Sequence, residues 1–311
     1  MKKPVFLILA LMLFVLSHTV SADVMIKSKA TMGQMLGIGS SESESSVYIK
    51  GDKNRTETTT SFKSQMFQMS GRDMTSETVE IFRLDKEVRW DLDKKDKSYR
   101  EIFLKSLKPM EMDYEEYESP QSGSLPDDEV EDYTWTVTVD ISKKSEEVNG
   151  LKCSKAVVNA TGVNKEDNSD SMFVTLKMWK STELPNIDEI EAFHKKFSEI
   201  TGIDEDVGSM KMEEYSSGFG DEFEESARKI EEMEGYQVKM EMLVEKSSSG
   251  EAGDDEPDLS GMMKGLMGKG QEGESGNRIT VISITDEIIS VDASTIDDGM
   301  FEVPEGFVKK Q

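Results

Sequence analysis

The chain has 311 residues, 63 of them acidic and 37 basic, for a formal net charge of −26, and 36% are hydrophobic. A surface this acidic repels nucleic acid and anionic headgroups, and its plainest role is solubility. One cysteine and two histidines are too few for the usual zinc site, and a catalytic triad would have to use His194 once His18 is set aside with the N-terminus.

The N-terminus has the pattern of a cleavable signal peptide. Lys2 and Lys3 precede an apolar run from Val5 to Leu16, which is short for a membrane span and right for a secretory signal core. Val20 and Ala22 supply the small residues before a cut ahead of Asp23. Residues 1–22 are therefore expected to leave, and the remainder to be periplasmic or secreted. No cysteine stands at the cut to carry a lipid anchor, and no later stretch reaches the roughly 18 consecutive apolar residues of a transmembrane helix.

From Asp23 onward, period-two alternation dominates. DVMIKSKAT predicts a first strand, SVYIKGDKNRTETTT a hairpin turning at Gly51-Asp52, and TVEIFRLDKEVRWDLDKKDKSYREIF a three-strand meander with turns at Asp85-Lys86 and KKDK. Residues 118–132, ESPQSGSLPDDEVED, read as a polar linker. In YTWTVTVDI, Tyr133, Trp135, Val137, Val139 and Ile141 share one face while Thr134, Thr136, Thr138 and Asp140 share the other, the mark of a half-buried strand.

Asn149-Gly150 predicts a two-residue hairpin, which puts Leu151, Cys153 and Val157 on one face of the outgoing strand LKCSKAVVNATG. Cys153 is expected in the core, since a free cysteine behaves as a small, often buried hydrophobe. Further strands follow at SMFVTLKMWKST, GYQVKMEMLVEK and NRITVISIT, with a short terminal piece at MFEVPEGFV. A helix is predicted from Asn186 to Thr201 after Pro185, with Ile187, Ile190, Phe193, Phe197 and Ile200 as its apolar stripe and His194 on the border. FEESARKIEEM predicts a second helix. These elements add up to an α+β fold built on one large antiparallel sheet, in a single domain over residues 23–311.

Methionine is abundant at 21 residues. Thioethers suit Cu(I), but pairs such as Met240/Met242 at i, i+2 on a strand also share a face, which is what an adaptable apolar core requires. Residues 246–277 form an acidic, Gly/Ser/Met-rich loop containing GMMKGLMGKG at 261–270. Its apolar residues would make a patch if the segment became helical, against the preference of its glycines. DLDKKDKSYRE imitates a calcium loop but has Lys95 at a ligand position and lacks the turn glycine, so it reads as a charged hairpin. No phosphate-cradling loop, nucleophile elbow or dinucleotide fingerprint is present. No catalytic residue, metal site or cofactor is expected.

The ordered phrases DVMIKSKATMG, YIKGDKNRTE, IFRLDKEVRWDLDKKDKSYRE, VNGLKCSKAVV, FVTLKMWKSTELP, GYQVKMEM and FEVPEGFVKK resemble an exported bacterial family, domain of unknown function 4412, from Asp23 to Lys310. That family is similar to the periplasmic lipoprotein carriers LolA and LolB. The resemblance implies a strongly curved, incomplete antiparallel barrel whose concave side is covered by a few helices. It also implies an apolar cavity, for which Tyr133, Trp135, Val137 and Val139 of the strand and Phe193 and Phe197 of the helix are the candidate lining. The expected function is non-enzymatic binding of a lipid or acyl chain, and the competing one is a structural or partner-binding envelope protein with no small-molecule ligand.

Overall fold

The computed structural model describes residues 23–33, 39–63, 74–107, 133–203, 225–226, 228–230, 232–247 and 278–310. The expected signal peptide, the polar linker, the Met-rich stretch 261–270 and every residue of the acidic loop except Lys246 and Ser247 lie outside these residues.

Among the described residues, thirteen strands are joined in one sheet. They are β1 (Val24–Gly33), β2 (Ser40–Lys50), β3 (Lys53–Lys63), β4 (Met74–Arg83), β5 (Val88–Asp93), β6 (Ser98–Phe103), β7 (Tyr133–Ile141), β8 (Glu146–Val148), β9 (Leu151–Asn164), β10 (Ser171–Ser181), β11 (Tyr236–Ser247), β12 (Arg278–Ala293) and β13 (Val308–Lys309). Their order is β13-β6-β5-β4-β3-β2-β1-β12-β11-β10-β9-β7, with β8 paired on β9. Consecutive strands mostly pair with each other, as tight turns dictate, and β12 returns to lie beside β1. The sheet is open between β7 at one end and β13 at the other.

Local turn chemistry explains the hairpins. Asn149 and Gly150 both have positive φ, at 49° and 81°, the geometry of the two-residue turn whose twist matches paired strands. Glu87 and Lys97 adopt the same region at the ends of the turns that separate β4, β5 and β6. Asp93 Oδ1 accepts a hydrogen bond from the backbone N–H of Asp96, so DLDKKDKSYRE is a charged hairpin.

The expected α+β class does not hold. The described residues are mostly β, and their helical content is α1 (Ile187–Thr201), a piece at 225–226 and 228–230, and two short 3₁₀ turns. Among the described residues, strands of up to 16 residues, as in β12, take the place of a helical layer. The sheet is also mixed, because Val308 and Lys309 pair in parallel with Ser98 and Tyr99 of β6.

Three apolar clusters form the core. The first lies on β7 and β9–β12 and includes Tyr133, Trp135, Val158, Leu176, Met240 and Ile284. The second gathers Val24, Ile26, Ile49, Leu84 and Cys153 around Ile190, Phe193 and Phe197 of α1. The third joins Val79, Ile81, Trp90 and Leu92 of β4 and β5 to Ile296 and Phe301. Burying each large side chain contributes about 1.5–3 kcal/mol. Gly202, at φ 72°, ends α1 by donating its N–H to the Ser198 carbonyl at 2.8 Å, as left-handed glycine caps do.

Candidate functional site

The six candidate lining residues divide between two clusters. Tyr133 and Trp135 are buried in the first, with Val137 and Val139 half-buried against it, while Ile141 at the end of the same strand face is 42% exposed. Phe193 and Phe197 belong to the second cluster, and the Phe197 ring meets Phe82 edge-on at 5.6 Å. The other helical piece supplies Ile230 to the first cluster, and Met233, at the bend just after it, packs half-buried against the same cluster. Their i, i+3 spacing in FEESARKIEEM is the sequence signal for this contact.

Pairing register defines the apolar face strand by strand. One row runs Val137, Ala160, Val174, Val244, Ile282, and the next Val139, Val158, Leu176, Met242, Ile284, Met32. A third runs Ile141, Ala156, Met178, Met240, Asp286, Ala30. Residues directly opposite on neighbouring strands share a face, so these rows form a continuous apolar surface across six strands. Six methionines pack in this cluster, at 32, 172, 178, 233, 240 and 242. Their unbranched thioether chains refit easily to differently shaped neighbours.

One rim of this face is polar. The Tyr133 hydroxyl donates to Asp170 Oδ2 at 2.6 Å, and Lys246 stands 3.4 Å from the same oxygen. Burial and the bond to Asp170 together raise the Tyr133 pKa, while the Lys246 pKa stays raised because its negative neighbours outweigh burial.

The third row contains the face's one inward charge among these positions, Asp286. Burial, then the neighbouring Glu287, pushes its carboxyl above the ordinary range. Beside it the β10–β11 register steps from Trp179 opposite Lys239 to Lys180 opposite Gln237, leaving Val238 as an extra residue. This bulge places Gln237 on the face of Met178 and Met240, where simple alternation would send it to the other side. Gln237 is 4% exposed, its amide N–H side lies against the Asp286 carboxyl, and its amide oxygen has no hydrogen-bond donor. Lys180 reaches across the face to donate to the carbonyls of Met233 at 2.8 Å and Ile230 at 3.4 Å. Sequence reasoning missed Gln237 and Asp286, since the bulge that brings them together is invisible to periodicity.

Cys153 is 1% exposed, its thiol pKa raised by burial, in agreement with its reading as a core residue. Among the described residues no three of His, Cys, Asp and Glu gather as a metal-binding group. No described helix is long and apolar enough to cross a membrane.

No protein-family model matches the chain, and no curated protein matches it. Two solved structures align over 91% of both chains. One is a Vibrio parahaemolyticus domain described with outer membrane lipoprotein-sorting proteins, at 9% identity and a TM-score of 0.23. The other is a domain of unknown function 1329 family protein from Desulfovibrio piger, at 6% identity and a TM-score of 0.20. TM-scores this low assign neither fold nor ligand, and the resemblance to the 4412 family rests on its ordered phrases alone.

Proposed function

We propose that the chain is an exported, non-enzymatic protein that holds an apolar ligand, a lipid or acyl chain, against the methionine-rich face of β7, β9–β12 and β1. The observation that carries this reading is the face itself, continuous over six strands and bordered by the half-buried Val137, Val139 and Met32. Methionine-lined surfaces accommodate chains of varied shape, and each CH₂ taken out of water contributes about 0.8 kcal/mol. Export is supported by the lysines, apolar run and small residues ahead of Asp23.

Protein isolated from its native compartment without detergent is expected to carry lipid visible by native mass spectrometry, with an intact mass that begins at Asp23. Val137→Trp is expected to lower that load in a folded protein. A lipid-free wild type that binds no fluorescent fatty acid, together with a Val137→Trp variant destabilised by about 1–3 kcal/mol through overpacking, favours a structural envelope protein with a filled interior.

A further inference from the structure

We infer that Gln237 and Asp286 form a polar anchor on this face for a primary ammonium group carried by an apolar chain. The inference rests on the proposed ligand-binding role of the face and specifies the chemistry of the ligand's polar end.

Three observations converge. The bulge at Val238 turns Gln237 into the apolar face, and bulges commonly re-aim side chains next to functional sites. The Gln237 amide is then buried with its N–H side against the Asp286 carboxyl and its oxygen without a donor, an unfavourable arrangement that a ligand donor can relieve. Asp286 lies between Met240 and Ala30, so the carboxylate sits in apolar surroundings.

The charges around Asp286 select the sign of the ligand. Its own strand contributes Glu287, which lies on the opposite side of the sheet and is paired with Lys239 at 3.9 Å, and β1 presents Ala30 opposite Asp286 and Met32 in the next row, both uncharged. From β11 come Met240 and Gln237. Lys180 of β10 shares the face, with its ammonium drawn to the carbonyls of Ile230 and Met233. An anionic headgroup would add a second negative charge beside Asp286. A primary ammonium donates to the Asp286 carboxylate and to Gln237 Oε1 at once, charge-assisted bonds being the stronger kind. Its chain continues over Met178, Met240 and Met242, and the strongly negative protein draws cations toward it.

Calorimetry on the full chain with dodecylammonium, dodecanol and dodecanoate tests this. At about 0.15 M salt, exposed charges beyond about 8 Å are screened. Dodecylammonium is expected to bind with one-to-one stoichiometry and roughly tenfold tighter than dodecanol, with dodecanoate weakest. Asp286→Asn should bring ammonium and alcohol within about twofold while leaving the alcohol affinity in place, and Gln237→Leu should lower the ammonium affinity alone. Equal binding of all three probes, or an ammonium preference that survives both substitutions, overturns the anchor and leaves the apolar-ligand reading standing. Failure of every probe to bind overturns both.

Discussion

The indole of Trp135 lies on Gly162, its direct partner across β7 and β9, and a Cβ built on that glycine would stand 3.0 Å from three ring atoms. Glycine is required there for space, since the ring occupies the room a side chain would take.

Gly162→Ala is therefore expected to push the ring off the sheet and to cost about 1–3 kcal/mol, the usual range for overpacking a filled site. Denaturant unfolding measures the loss, and a shift in tryptophan emission reports the ring's displacement. Unchanged stability and emission would show that the indole moves aside freely.

Cys153→Ala should leave the fold intact and cost about 1–2 kcal/mol from the lost sulfur and the small cavity that remains. The native thiol should react with maleimide far more slowly than in urea, because burial both hides it and raises its pKa. Rapid labelling of the folded protein, or a disulfide-linked dimer, would contradict its place in the core.

Arg83 ties the C-terminal segment to β4. Its guanidinium donates to Asp85, to Glu302 and to the Phe301 carbonyl at 3.3 Å, and Arg55 donates to the Met300 carbonyl at 2.9 Å. Arg83→Ala leaves the buried Phe301 carbonyl without its donor, while the exposed Asp85 and Glu302 return to water; it is expected to cost about 1–3 kcal/mol, with faster proteolysis between residues 296 and 307 as the readout. The bond from Arg83 lowers the Asp85 pKa, whereas burial works to raise that of Glu302 until bonds from Arg83 and Lys86 leave it lowered. Groups held below their unfolded pKa stabilise at neutral pH and lose that contribution as acid titrates them in the folded protein. Acid unfolding of the wild type should accordingly be steeper than that of Arg83→Ala.

Asp286 carries the opposite sign. Its folded pKa is raised, so the folded state binds the proton more tightly than the unfolded chain, and stability falls as pH rises from the unfolded to the folded value. Asp286→Asn should stabilise the ligand-free protein at pH 7 by about 1 kcal/mol, a gain that vanishes below the ordinary carboxylate range. Thermal melts across pH measure it. A uniform loss of stability at every pH would show instead that the carboxylate is needed for folding.

Much of the strand content was legible because it depends only on neighbours in the chain. Alternation in YTWTVTVDI, the Asn149-Gly150 turn, the stripe of α1 and the burial of Cys153 all follow from periods of two or 3.6 residues and from backbone geometry. The assignment of Phe193 and Phe197 to the same pocket as Tyr133 and Trp135 did not follow, since an apolar stripe states that a helix is covered without stating by what.

By itself the sequence determined the strands, their inward faces and most of their hairpin partners, because side-chain period and turn chemistry act within a few residues. Tertiary structure alone decided the predominance of one open sheet, the parallel pairing of Val308 with Ser98, the contact between Lys50 and the Ile296 carbonyl 246 positions away, and the bulge that turns Gln237 toward Asp286. Those outcomes depend on which strands meet and in what register, and the energy of pairing resides in contacts between residues that the chain order keeps far apart.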